Sequence, residues 1–313
     1  MELLLYLPHR DPGPWLDGLA RHLPQARARL WQPGDHAPAD YALVWRPPAE
    51  LLRGRTGLKA VFNLAAGVDM LLDMLHAEPD LLPSHVPLIK LDDAGMAAQM
   101  IEYVSHAVLR RYRRFDEYEA LRLQGQWQAL EPNARDAYPV GVMGLGALGV
   151  PVAQALVALG FPVRGWSRSR KSVCGVQCFA GAAELGAFAD GLRAVINLLP
   201  LTPETEGILD RGLFAHLAPG AHLINIARGA HLREDHLLAA IADGRIGRAT
   251  LDVFREEPLP KDHPFWREPR IDITPHIAAL TEREASLTQI VTRIGALERG
   301  EAVSGFIDRR RGY

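Results

Sequence analysis

The sequence predicts an α/β chain of two domains, each built on a parallel sheet flanked by helices. Three observations carry that prediction. Short apolar runs alternate with helical patterns along the chain, one run leads straight into a glycine-spaced turn, and 313 residues suffice for two cores.

The N-terminal part holds four strand-like runs: Leu3 to Leu7, Tyr41 to Trp45, Leu58 to Leu64 and Val86 to Lys90. They are continuously apolar, as expected of parallel strands covered on both faces. Trp15 to Leu23 reads as a helix, and Arg46-Pro47-Pro48 stops the second strand. From Ala97 the pattern becomes a long helix, with Met100, Ile101, Val104, Ala107, Val108 and Arg111 at helical spacing, able to bridge two domains. Residues 115–137 mix Phe115, Tyr118 and Trp127 with charges, a composition suited to covering a surface or a subunit partner.

Six further strands follow: Val140 to Met143, Pro162 to Trp166, Ala194 to Leu198, His222 to Ile226, Ala249 to Val253 and Ile271 to Thr274. The first runs into Gly144-Leu145-Gly146-Ala147-Leu148-Gly149 and then a helical pattern from Val152 to Leu159. A strand, G-x-G-x-x-G and a helix in that order form the diphosphate site of a Rossmann-type dinucleotide-binding domain. Gly144 allows the tight turn, Gly146 the approach of the anion, and Gly149 close helix packing. The helical residues after about Glu282 lie beyond this sheet and return to the first domain.

The next strand selects the cofactor. Where an acid would accept from a ribose 2′-hydroxyl, the chain reads Ser167-Arg168-Ser169-Arg170-Lys171. Hydroxyls and cations suit a 2′-phosphate, so NADPH is expected over a weaker NADH, the alternative being a solvated basic loop.

Bulk properties set limits. A formal net charge of −2 gives no general attraction to nucleic acid or an anionic membrane, and no apolar run approaches the roughly 18 residues of a membrane span. The N-terminus lacks a signal-like basic region. Cys174 and Cys178, read as lying in a loop beyond the second strand of the glycine-loop domain, complete no zinc set, so no metal is expected. These features suggest a reduced, cytoplasmic enzyme.

Three more strand ends carry chemistry. Arg228 follows LINIA, Glu257 follows LDVF, and Pro275-His276 follows IDIT. Parallel strands bring their C-terminal ends to one edge, so the three side chains can converge. Taken singly, His276 could be an ordinary hydrogen-bonded histidine, Arg228 could pair with any acid, and Glu256-Glu257 could be a solvated turn.

With NIARG, LDVFREEPLP and TPHIA, the whole chain resembles the D-isomer-specific 2-hydroxyacid dehydrogenases. LVWRPP, NLAAGVD, GWSRSRKS, NLLPLTPET and the ending DRRRGY resemble its glyoxylate/hydroxypyruvate reductase A branch. The resemblance implies a flavodoxin-like substrate domain over residues 1–98 and 288–313, a dinucleotide-binding domain over 99–287, and a homodimer. It implies NADPH-dependent reduction of glyoxylate to glycolate and hydroxypyruvate to glycerate. His276 would be the general acid, Glu257 its orienting partner, and Arg228 the holder of the substrate carboxylate. Leu199, Pro200, Ile226, Ala227 and Asp252 would line the cofactor, with Asp252 accepting from the nicotinamide carboxamide. The N–H groups of Ala66 and Gly67 would bind the substrate carboxylate, unless this is an ordinary strand-to-helix turn. Trp45 either walls the pocket or packs in the core. Ala278 departs from the glycine that many relatives carry. A reductase of a larger 2-oxo acid such as phenylpyruvate, or a nucleotide-sensing binding protein on the same fold, are the alternatives.

Overall fold

The computed structural model describes residues 1–8 and 10–309. In chain order the elements are β1 (Glu2–Tyr6), α1 (Gly13–His22), β2 (Arg27–Leu30), β3 (Tyr41–Val44), α2 (Ala49–Leu52), β4 (Ala60–Asn63), α3 (Asp69–Ala77) and β5 (Leu88–Lys90). Then come α4 (Met96–Tyr112), α5 (Phe115–Leu123), β6 (Val140–Met143), α6 (Gly149–Ala158), β7 (Val163–Ser167), β8 (Val176–Ala180), α7 (Leu185–Ala189) and β9 (Ala194–Asn197). The remainder is α8 (Arg211–His216), β10 (Ala221–Asn225), α9 (Glu234–Ala242), β11 (Ile246–Leu251), β12 (Ile271–Ile273) and α10 (Arg283–Glu298). The chain forms two compact units, one of residues 1–96 with the chain from Thr281 onward, the other Ala97–Leu280.

Unit one is a five-stranded sheet in the order β2-β1-β3-β4-β5, parallel throughout. This is the flavodoxin-like order, whose direction of growth reverses between β1 and β3. Its strands read as buried because Leu4, Val44, Val61, Leu72 and Leu82 pack into one apolar cluster. α10 packs on α1, so the whole helix belongs to this unit. The chain therefore returns at 280/281 and not at the expected 287/288.

Unit two is a seven-stranded parallel sheet in the order β12-β11-β10-β9-β6-β7-β8. The first six strands in chain sequence give the Rossmann order, and β12 extends one edge. The sheet is buried on both sides, by Phe188, Leu213, Phe214, Leu237 and Phe265 in one cluster and by Val104, Val108, Val152, Leu156 and Phe161 in another. Truncating the fully buried Phe188 to Ala would cost about 3–5 kcal/mol.

Two strands were not expected. β2 and β8 are both edge strands, each paired on one side only. Arg27-Ala28-Arg29-Leu30 carries charges that suit an edge and hide it from an apolar-run reading. Val176-Gln177-Cys178-Phe179-Ala180 has no fully buried residue. Cys178 consequently lies in β8 and not in a loop. Among the described residues no group of three or more His, Cys, Asp or Glu could hold a metal ion, and no helix is long and apolar enough to cross a membrane. Of the DRRRGY ending, the last four residues lie outside the described residues.

Candidate active site

The carboxyl ends of β6 and β9 meet at the switch point of the seven-stranded sheet. Here Gly144 has φ 100°, and a Cβ on it would stand 2.7 Å from the Leu198 carbonyl oxygen. A Cβ on Gly149, the first residue of α6, would fall 1.7 Å from the Gly144 oxygen, so this helix can start so close to its strand only with glycine. A Cβ on Gly146 would meet nothing within 4 Å. The backbone is thus open where an anion would approach and tight where the turn closes. Leu145 is buried against Gly165, while Gly146 and Ala147 are exposed and Leu148 half-buried ahead of the helix N-terminus. This arrangement fits a dinucleotide diphosphate.

Ser167 ends β7 and donates its hydroxyl to the Ser169 carbonyl at 2.8 Å. Arg168, Arg170 and Lys171 are exposed. Arg170 is engaged sideways, by the Cys178 carbonyl at 2.9 Å and by Glu184. Arg168 lies close enough to Glu204 to help lower its carboxyl, behind hydrogen bonds from the Thr202 side chain and the Glu204 backbone. Leu199, Ile226 and Ala227 are buried just beyond β9 and β10, and Pro200 is exposed.

At the other side of the same edge, His276 Nδ1 is 2.8 Å from Glu257 Oε2. The Phe254 N–H donates to Glu257 Oε1 at 3.1 Å. Burial pulls the Glu257 carboxyl upward, but the His276 hydrogen bond, the Phe254 N–H and the charges of His276 and Arg228 more than offset it. Glu257 therefore sits below the usual carboxylate range and is ionised at neutral pH. An ionised Glu257 accepts from Nδ1–H, which leaves Nε2 as the ring nitrogen that can exchange a proton with a ligand. Arg228 is close enough to act electrostatically on Glu257.

His276 has φ 57°, a left-handed conformation that costs a non-glycine residue about 1–2 kcal/mol. Asp252 holds that turn. Its carbonyl accepts from His276 N at 2.9 Å, and its carboxylate accepts from Ile277 N and Ala278 N at 2.8 Å each. Thr274 donates to the same carboxylate at 2.6 Å and lies 2.6 Å from the Tyr103 hydroxyl. Burial pushes Tyr103 up to about 12, so its hydroxyl stays protonated and donates to Thr274. Both Asp252 carboxylate oxygens thus support the histidine turn. Buried Ala278 belongs to this lock through its N–H.

A second framework, absent from the sequence reading, fixes Arg228. Asn225 Nδ2 donates to the Arg228 carbonyl at 3.0 Å, and Asn225 Oδ1 accepts from Asn197 Nδ2 at 3.0 Å. The buried His231 ring has Nδ1 3.1 Å from the Arg228 carbonyl and Nε2 3.2 Å from the Pro200 carbonyl. The available signal was an asparagine at the end of each of two wholly buried strands, where an unpaired amide would be costly.

In unit one, Trp45 follows β3 and is half-buried, not in the core. Asn63 donates to the carbonyls of Ala65 at 2.9 Å and Gly67 at 2.8 Å, which shapes the turn after β4. The Ala66 and Gly67 N–H groups have no hydrogen-bond partner among the described residues.

A sequence model of the D-isomer specific 2-hydroxyacid dehydrogenase NAD binding domain matches residues 105–278. The chain belongs to the D-isomer-specific 2-hydroxyacid dehydrogenases. It is 56% identical over 313 residues to the glyoxylate/hydroxypyruvate reductase A of Serratia proteamaculans (strain 568), covering 100% of both. Among solved structures it is similar to a D-isomer specific 2-hydroxyacid dehydrogenase from Xanthobacter autotrophicus Py2 in complex with NADPH and MES, with TM-score 0.92 and 39% identity over 100% of this chain and 99% of that one. It is also similar to an NADPH-dependent glyoxylate/hydroxypyruvate reductase from Sinorhizobium meliloti in complex with NADP and sulfate, with TM-score 0.90 and 34% identity over 100% and 99%.

Proposed function

We propose that this dehydrogenase reduces glyoxylate to glycolate and hydroxypyruvate to glycerate, using NADPH in preference to NADH. The observation that carries the chemistry is the 2.8 Å contact of His276 Nδ1 with Glu257, beside Arg228. The names and bound nucleotides of the relatives support the substrate class and the cofactor.

Arg228 holds the 2-oxo acid carboxylate with its planar fork and polarises the neighbouring carbonyl. Glu257 fixes the imidazole, and His276 Nε2 gives its proton to the carbonyl oxygen as that oxygen gains charge. When bound, the reduced nicotinamide supplies the hydride. Gly144 to Leu148 and the start of α6 would hold the diphosphate. Ser167, Arg168 and Lys171, with Arg170 once it leaves Glu184, would hold the 2′-phosphate, and Leu199, Pro200, Ile226 and Ala227 would line the remainder. Trp45 and the N–H groups of Ala66 and Gly67 are assigned to the substrate.

We also assign a second copy of this chain to the face carrying Phe115, Leu123 and Trp127. These side chains are exposed in the structure, and Trp127 is fully so. Sedimentation of the wild type and Trp127→Asp tests this: the dimer should weaken, and an unchanged mass would remove the assignment.

The activity test is a panel of glyoxylate, hydroxypyruvate and phenylpyruvate with each reduced nicotinamide. Greatest efficiency with the two small acids and NADPH is expected. Preference for phenylpyruvate or NADH, or no turnover, would refute the reading.

A further inference from the structure

His276 follows the shortest strand of its sheet. β12 has three residues, lies at one edge of the seven-stranded sheet and pairs only with β11. The loop that leaves it, residues 274–280, carries His276 at φ 57°. A reacting group has to stay within about 0.5 Å of its productive place, and a short edge strand with one neighbour does not impose that on the loop beyond it. Asp252, which directly follows β11, ties the loop from that side.

The loop is also gripped from α4. Gln99 and Tyr103 stand at i and i+4 on this helix, so they share a face. Tyr103 meets the loop two residues before His276, with its hydroxyl 2.6 Å from Thr274 Oγ1. Gln99 meets it four residues after His276. Its Nε2 donates to the Leu280 carbonyl at 2.8 Å, and its Oε1 accepts from the Leu280 N–H at 3.0 Å. One side-chain amide thus satisfies both backbone groups of Leu280, as a neighbouring strand would. Between these two grips, Ala278 shares an apolar cluster with Met100 and Val104 of the same helix. That cluster includes Val140 and Val142 of β6 and Ile224 of β10, so α4 is itself anchored to inner strands of the sheet.

We propose that Gln99 and Tyr103 are positioning residues for the reduction, clamping the 274–280 loop at both ends and so fixing the His276 imidazole for proton donation. Tyr103 acts through Thr274 and Asp252, and Gln99 acts through the Leu280 backbone. This role rests on His276 as the general acid proposed above.

The test uses Tyr103→Phe, which keeps the ring and removes the hydroxyl, and Gln99→Met, which keeps the chain length and removes both amide bonds. With glyoxylate and saturating NADPH, each should lower kcat about tenfold, since misplacing a reacting group by about 1 Å can cost a hundredfold. KM for glyoxylate and NADPH binding by calorimetry should stay near wild type, because the clamp touches neither Arg228 nor the glycine turn. The deciding readout is the same two substitutions made in His276→Asn. With no imidazole to place, they should slow that variant no further. A packing defect would slow both backgrounds alike, and that result overturns the proposal. Unchanged kcat in either single variant, or a loss seen in KM alone, overturns it too. Wild-type turnover in His276→Asn itself would sink the general-acid reading, whereas its collapse beside intact Tyr103→Phe and Gln99→Met sinks only the clamp.

Discussion

His276 after β12 and Arg46 after β3 are both non-glycine residues at positive φ, but they are held by different means. The His276 turn is tied to buried Asp252 by backbone and side-chain hydrogen bonds and supported through Thr274 by Tyr103. Arg46 rests on an exposed stack with Trp45 and Arg10. A proton donor must be held to a fraction of an ångström, and a buried, fully satisfied polar network gives that precision. The His276 turn carries such a network, and the Arg46 turn is held by ring contacts.

The comparison can be broken most sharply at His276. His276→Asn should lower kcat about a thousandfold, within the usual range for a lost general acid, while NADPH binding measured by calorimetry stays near the wild-type value. Lost binding with normal turnover would remove the role. Next in size, Arg228→Ala should cost about a hundredfold in kcat/KM for glyoxylate, in both kcat and KM, because the guanidinium acts on substrate and transition state alike. Unaltered kinetics would take Arg228 out of the site.

A smaller effect is expected at the end of β7. Ser167→Asp with Arg168→Ala should move the NADPH to NADH efficiency ratio about tenfold toward NADH, and a constant ratio would exclude that loop. Smallest is a pH effect on stability. Glu257 is lowered from its ordinary value of 4.5, so its contribution is complete above that value and is lost as pH falls through the lower folded value. Glu257→Gln should therefore flatten that part of the acid denaturation curve. A curve of unchanged slope would show that the carboxylate is not specially stabilised.

The sequence told more about the edge of the seven-stranded sheet than about that of the five-stranded one. The glycine spacing and the motifs ending in Arg228, Glu257 and His276 were legible because backbone turns and ionisable groups leave local marks. Asn197, Asn225 and His231 were not: Asn197 meets Asn225 across two strands, and the contacts of Asn225 and His231 with the Arg228 carbonyl exist only in the folded turn. β2 and β8 escaped for the opposite reason: edge strands need no apolar run. Asp252 was legible as a functional position, yet its work on the His276 turn emerged only from the folded geometry. Trp45 stood in the sequence as a wall or a core residue, and only three dimensions stacked it with Arg10.

The most direct measurement is a kinetic cycle of His276→Asn, Glu257→Gln and the double variant with glyoxylate and NADPH. If the pair works as one proton-donating unit, the double variant is no slower than His276→Asn alone. Multiplying losses would contradict the account, because Glu257 would then act independently of the ring it touches.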